Sequence, residues 1–75
     1  MASDRVRVEI GFQGGQVIGS FVTQESADQL ERALHEDGPR TVILETEDGR
    51  LHVVVPRVAY FRRFSRASRV GFAAG

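Results

Sequence analysis

Five arginines and four aromatic residues are crowded into the last quarter of this 75-residue chain. Arg57, Arg62, Arg63, Arg66 and Arg69 interleave with Tyr60, Phe61, Phe64 and Phe72. Guanidinium groups bind phosphates and aromatic rings stack on unpaired bases, so the pattern suits single-stranded nucleic acid. It suits a protein surface equally. Glu25, Asp28, Glu31, Glu36 and Asp37 offer acidic partners, in the same chain or in a neighbour. The spacing matches no RNA-binding signature, and the formal net charge is zero. The protein-facing reading therefore leads. It expects Arg57, Arg62, Arg63, Arg66, Arg69 and Phe72 to meet a protein partner, with Tyr60 and one phenylalanine in the core. Nucleic acid is the alternative. Exposed ion pairs contribute only ~0–1 kcal/mol each, so their effect would lie in orientation and partner choice.

Other chemistries find less support. His35 and His52 are the two histidines and there is no cysteine, whereas a metal site needs three or four converging ligands. Gly14-Gly15 joins two strand-like stretches, unlike a phosphate loop, which opens a helix and carries Lys or Ser/Thr at fixed spacing. Ser20, Ser26, Ser65 and Ser68 have no base in a motif context. One helix on one sheet offers little wall for a concave site. The sequence predicts no catalytic, cofactor-binding or metal residues and a protein that is not an enzyme.

The elements that must position these residues are organised around Thr23 to Pro39. Ala27, Leu30, Ala33 and Leu34 recur at helical spacing and form one apolar stripe. Thr23 suits the N-cap, and Ser26 with Gln29 offers a second capping arrangement. Gly38 suits the left-handed position after the last turn, and Pro39 cannot continue a helix. Before the helix, Arg5 to Phe12 alternates strictly, and Gln16 to Thr23 returns as a second strand. A two-residue loop at Gly14-Gly15 would set Phe12 against Val17, Ile10 against Gly19 and Val8 against Phe21. After the helix, Arg40 to Glu47 and Arg50 to Val55 flank Asp48-Gly49, a strong hairpin signal. That loop would set Leu44 against Val53, and Glu45 against His52. Pro56 interrupts the ladder, so Val55 to Val58 reads as a turn or tight helical segment. Ala59 to Phe64 reads as a fifth strand, and a right-handed crossover could place a late strand parallel to the first. The expected fold class is α+β: a two-layer β-β-α-β-β-(β) domain, one helix packed on one face of a four- to five-stranded sheet. Residues 1–64 form the domain and 65–75 a C-terminal tail.

A chain of this length buries only about 60–65% of the surface its unfolded form exposes, and no disulfide supplements the core. Self-association is the common remedy. The predicted registers leave Ile18, Val22, Ile43 and Val54 on the uncovered sheet face, an apolar patch that a homodimer would bury sheet to sheet or edge to edge. The last strand or tail folding over it is the alternative. No apolar run reaches the ~20 residues that span a bilayer, and Met1 to Arg5 lacks the regions of a signal peptide. A cytoplasmic location and no membrane partner follow as expectations. Charge divides unevenly: residues 1–54 carry five arginines against ten acids, net −5, and residues 55–75 carry five arginines and no acid, net +5.

The order V-R-V-E-I-G from Val6, Q-E-S-A-D-Q-L from Gln24, D-G-R at Asp48, V-P-R-V-A-Y from Val55 and S-R-V-G-F from Ser68 resembles a family. It is that of the short actinobacterial proteins grouped as domain of unknown function 3107. The likeness covers Val6 to Phe72. It implies a small cytoplasmic actinobacterial protein and carries no assigned activity. The family's last strand is usually acidic after A-Y. Here Phe61-Arg62-Arg63-Phe64 follows, which sets the basic segment apart from the relatives.

Overall fold

The structure is a computed structural model and describes residues 5–36 and 38–65. Five strands and one helix appear in the order β1 (Arg5–Phe12), β2 (Val17–Thr23), α1 (Gln24–His35), β3 (Thr41–Thr46), β4 (Gly49–Val54) and β5 (Val58–Arg63), with a 3-10 turn at Val55–Arg57 before β5. The helix packs on an antiparallel sheet of order β4-β3-β2-β1-β5, an α+β fold. The fifth strand is antiparallel to β1, correcting the expected parallel crossover. Its approach runs through three residues at Val55–Arg57, too short for a helical return.

That short link determines the shape. In a flat sheet β4 and β5 would stand four strand spacings apart, about 19 Å. Val54 to Val58 spans at most about 14 Å. The sheet must therefore curl, with the 3-10 turn drawing its two ends together. The Val55 N–H donates to the Arg40 carbonyl at 2.7 Å, and the Gln13 N–H to the Arg57 carbonyl at 2.9 Å. The bend falls between β2 and β3, whose ladder holds one partnered position, Val22 with Thr46. The concave side holds Val6, Val8, Ile10, Val22, Val42, Leu44 and Val53, closed by Ala27, Leu30 and Ala33 of α1. Leu34, expected in the same stripe, lies at its margin and is exposed.

Both ends of α1 are set locally. Thr23 Oγ1 accepts the Ser26 N–H at 3.1 Å, the expected cap. Ser26 caps nothing. Its buried Oγ accepts the Thr23 hydroxyl at 2.8 Å and the Glu45 N–H at 2.9 Å, occupying a place where β3 has run past the end of β2. The helix stops at His35 with Glu36 in extended conformation. Because Glu36 is already extended, Gly38 does not stand directly after the last helical turn, where the left-handed cap was expected.

Both hairpins differ in register from expectation. Gly14 and Gly15 do take positive φ, 103° and 98°. The loop, however, is the three residues Gln13–Gly15, closed by Phe12 N–H to Gln16 carbonyl at 2.8 Å. This sets Ile10 against Ile18 and Arg7 against Phe21. The one-residue shift exchanges the faces of β2. In the second hairpin Glu47-Asp48 forms the loop and Thr46 faces Gly49, giving Leu44 against Leu51 and Ile43 against His52. Thr46 Oγ1 steadies that turn, donating to the Gly49 carbonyl at 3.0 Å and accepting the Asp48 N–H at 3.1 Å. Gly49 then carries the positive φ, 143°, at the first strand position. The shift here is two residues, and every side chain keeps its expected face.

Candidate functional site

The exchange of faces on β2 revises the predicted self-association residues. Val22 is fully buried against α1, and Ile18 lies half-buried on the same concave side. Neither is on an uncovered face. Val17 and Phe21 take their place on the convex side, 54% and 49% exposed. Ile43 and Val54 are exposed as expected, at 40% and 46%, but they belong to the β3–β4 hairpin beyond the bend. Among the described residues, Val17 and Phe21 therefore stand apart from Ile43 and Val54, and the single predicted patch is divided.

The basic segment also divides. Strand alternation sends Arg62 to the convex side and Arg63 to the concave end, beside the first turns of α1. Arg63 Nη1 donates to Asp28 Oδ1 and Glu31 Oε1, both at 2.9 Å, and Nη2 donates to Gln24 Oε1 at 2.8 Å. The acidic helix is thus the partner of Arg63, which ties β5 to α1. Arg62 lies over the Phe64 ring, 4.5 Å from its centroid, and Arg7 of β1 lies over the same ring at 4.9 Å. Cation–π contacts of this kind contribute about 0.5–1 kcal/mol at exposed sites. Arg57 is exposed in the 3-10 turn, and its carbonyl supports Gln13. Arg66, Arg69, Phe72 and all of the predicted tail except Ser65 lie outside the described residues.

Tyr60 is a correction. It is 44% exposed on the convex side, while Phe61, its neighbour, packs against the core. The Tyr60 ring covers Gly11 of β1 so closely that a Cβ at Gly11 would overlap it. Its hydroxyl donates to Glu9 Oε2 at 2.6 Å. That hydrogen bond, desolvation and the adjacent carboxylate charge raise the phenol above its ordinary pKa.

Arg5, Arg7, Phe21, Glu47 and Phe64 surround a depression of about 420 Å³ on the convex side. Sequence reading missed Arg7 and Phe21 as members of this surface, and the pairing of Arg7 with Phe21 depends on the hairpin register. Chemically the depression offers guanidinium charge beside aromatic edges. No group of three His, Cys, Asp or Glu able to hold a metal occurs among the described residues. His52 stands opposite Ile43 and not opposite Glu45, whose cross-strand neighbour is Arg50 at 3.9 Å. No helix among the described residues is long and apolar enough to cross a membrane.

No family model, curated protein or solved structure matches this chain.

Proposed function

We propose that this chain is a small, cytoplasmic, non-enzymatic interaction module that self-associates and presents its basic segment to a protein partner. The observation that carries the reading is the bare edge of β2. From Val17 to Phe21 this strand pairs with β1 on one side, and no described strand pairs with it on the other. The Phe12 N–H donates to the Gln16 carbonyl, which sets the ladder phase, so in β2 the alternate residues Val17 and Gly19 aim their main-chain groups at the bare side, and Phe21 stands where that side meets the Val22–Thr46 pair. A bare edge flanked by apolar side chains is a template for strand pairing. Two copies related by a two-fold axis at Gly19 would pair β2 with β2, antiparallel. Gly19 would face its counterpart, and Val17 of one copy would cross Phe21 of the other. The two exposed side chains of each edge would then cover one another. The arrangement is isologous and closes at a dimer.

Solution mass tests this. Analytical ultracentrifugation at micromolar concentration is expected to give twice the monomer mass. Phe21→Glu and Gly19→Pro are expected to give the monomer with unchanged circular dichroism, and Ile43→Glu to leave the dimer intact. A monomeric wild type rejects the reading. Of the predicted partner-facing residues, Arg57 and Arg62 are exposed and support that role, while Arg63 is held by α1.

The Arg5, Arg7, Phe21 and Phe64 depression favours a second reading, a single-stranded nucleic-acid surface. That reading requires oligonucleotide affinity that falls steeply with salt and is lost in Arg7→Gln/Arg62→Gln.

A further inference from the structure

The bend between β2 and β3 exposes a second strand edge, independent of the first. The bond from Val55 N–H to the Arg40 carbonyl fixes which residues of β3 face β4: Val42, Leu44 and Thr46. Thr41, Ile43 and Glu45 therefore turn their main-chain groups the other way. At Glu45 the N–H goes to Ser26 Oγ at 2.9 Å and the carbonyl accepts from Arg5 Nη1 at 3.1 Å. Among the described residues no side chain is bonded to the outward main-chain groups of Thr41 and Ile43, although Gln29, Arg32 and Glu36 line the groove beside them. Thr41 and Ile43 open onto this groove, of about 340 Å³, between β3 and the C-terminal half of α1, lined also by Ala33, Pro39 and Val42.

We propose that this groove binds an extended peptide segment of another protein, about three residues long, as an added strand along Thr41–Ile43. The occupant's chemistry follows from what lines the groove. Thr41 and Ile43 present main-chain donors and acceptors at the two-residue repeat of a strand, about 6.6–6.8 Å, which another extended main chain matches. Pro39 ends the track on one side, and the Ser26–Glu45 bond ends it on the other. Ala33 and Val42 form an apolar floor suited to a small aliphatic side chain. Arg32 and Glu36 balance in charge, so main-chain pairing carries the recognition and an uncharged segment fits. A second copy of this chain is the poorer occupant. Its bare β2 edge placed here would make a head-to-tail contact that does not close, and the dimer proposed above uses that edge already.

The test uses the full chain, labelled with ¹⁵N, and an acetylated, amidated Thr-Val-Thr-Val-Thr peptide. The amides of Thr41 and Ile43 are expected to shift on titration and to gain hydrogen-exchange protection. The same peptide N-methylated at its central residue is expected not to bind. Thr41→Pro, which removes one outward N–H and spares the β3–β4 bonds, is expected to weaken binding about five- to tenfold. Absence of shifts at millimolar peptide overturns the proposal. So does equal binding of the N-methylated peptide to the wild-type chain, or protection that appears at Val17 and Gly19 instead.

Discussion

The concave and convex sides of this sheet are made by the same strands, residue by alternate residue, and they solve opposite problems. On the concave side Ile10, Val22, Leu30 and Leu44 are fully buried, and the buried Ser26 has its oxygen satisfied. On the convex side apolar residues stand half exposed beside arginines, and order comes from pairs: Tyr60 on Gly11 and Glu9, Arg7 and Arg62 on Phe64. Burial on one side supplies stability, and the same alternation leaves the apolar residues of the other side partly exposed. A small domain with one helix covers one side only, so the apolar side chains of the convex side stay half exposed among the described residues.

Adjacent residues on β3 test the contrast most strongly. Leu44→Ala is expected to cost about 2–5 kcal/mol in urea denaturation, a large part of the roughly 4–11 kcal/mol expected for a chain of this size. Ile43→Ala, one residue away and facing out, is expected to stay within about 0.5 kcal/mol. Comparable losses at the two positions would erase the distinction. Ser26→Ala comes next, at about 1–3 kcal/mol, because it leaves the Glu45 N–H without its side-chain acceptor. Faster amide exchange at Glu45 is the accompanying sign. The Arg pair on β5 gives a smaller effect. Arg63→Met is expected to lose about 1 kcal/mol or less, diminishing with added salt, while Arg62→Met leaves salt dependence unchanged.

The smallest expected effect is a titration. Tyr60 is the chain's single tyrosine, so phenolate absorbance reports it alone. Its folded pKa is raised, so the Glu9 bond contributes stability that is complete below the unfolded value near 10 and is lost as pH rises through the folded value. Glu9→Gln is expected to lower the midpoint. An unchanged midpoint would mean that the hydroxyl does not hold Glu9 in solution.

Much of this was legible in the residues. The strict alternation of Arg5 to Phe12, the Thr23 cap and the break at Pro56 each produced the structure they implied. The hairpin registers were not legible, and the two errors differ instructively. At Asp48-Gly49 the shift of two preserved both faces, so Val42, Leu44 and Val53 were placed correctly. At Gly14-Gly15 the shift of one exchanged them. Two flexible residues between two glutamines fit a loop of two or three equally well. The strand that follows, Val-Ile-Gly-Ser-Phe-Val, is apolar on both parities and cannot arbitrate. The candidate surface inherited that error, because Phe21 joins Arg7 and Phe64 only in the observed register. Arg63 was harder still: which arginine meets the helix depends on where β5 pairs, a contact 35 residues from Asp28.

The pairing of the first strand with the last also has a history in time. Tyr60 reaches Glu9 across 51 residues of chain. At a synthesis rate of about 5–20 residues per second, roughly three to ten seconds separate the emergence of β1 from that of its outer neighbour. Throughout that interval a growing chain can fold the β1–β2 hairpin but not complete it, and one flank of β1 stays open to any strand that passes. Arg5, Arg7 and Glu9 alternate along that flank, and charges on an exposed edge discourage such encounters. The charges that finish on the convex side of the sheet therefore serve first as guards of an unfinished edge.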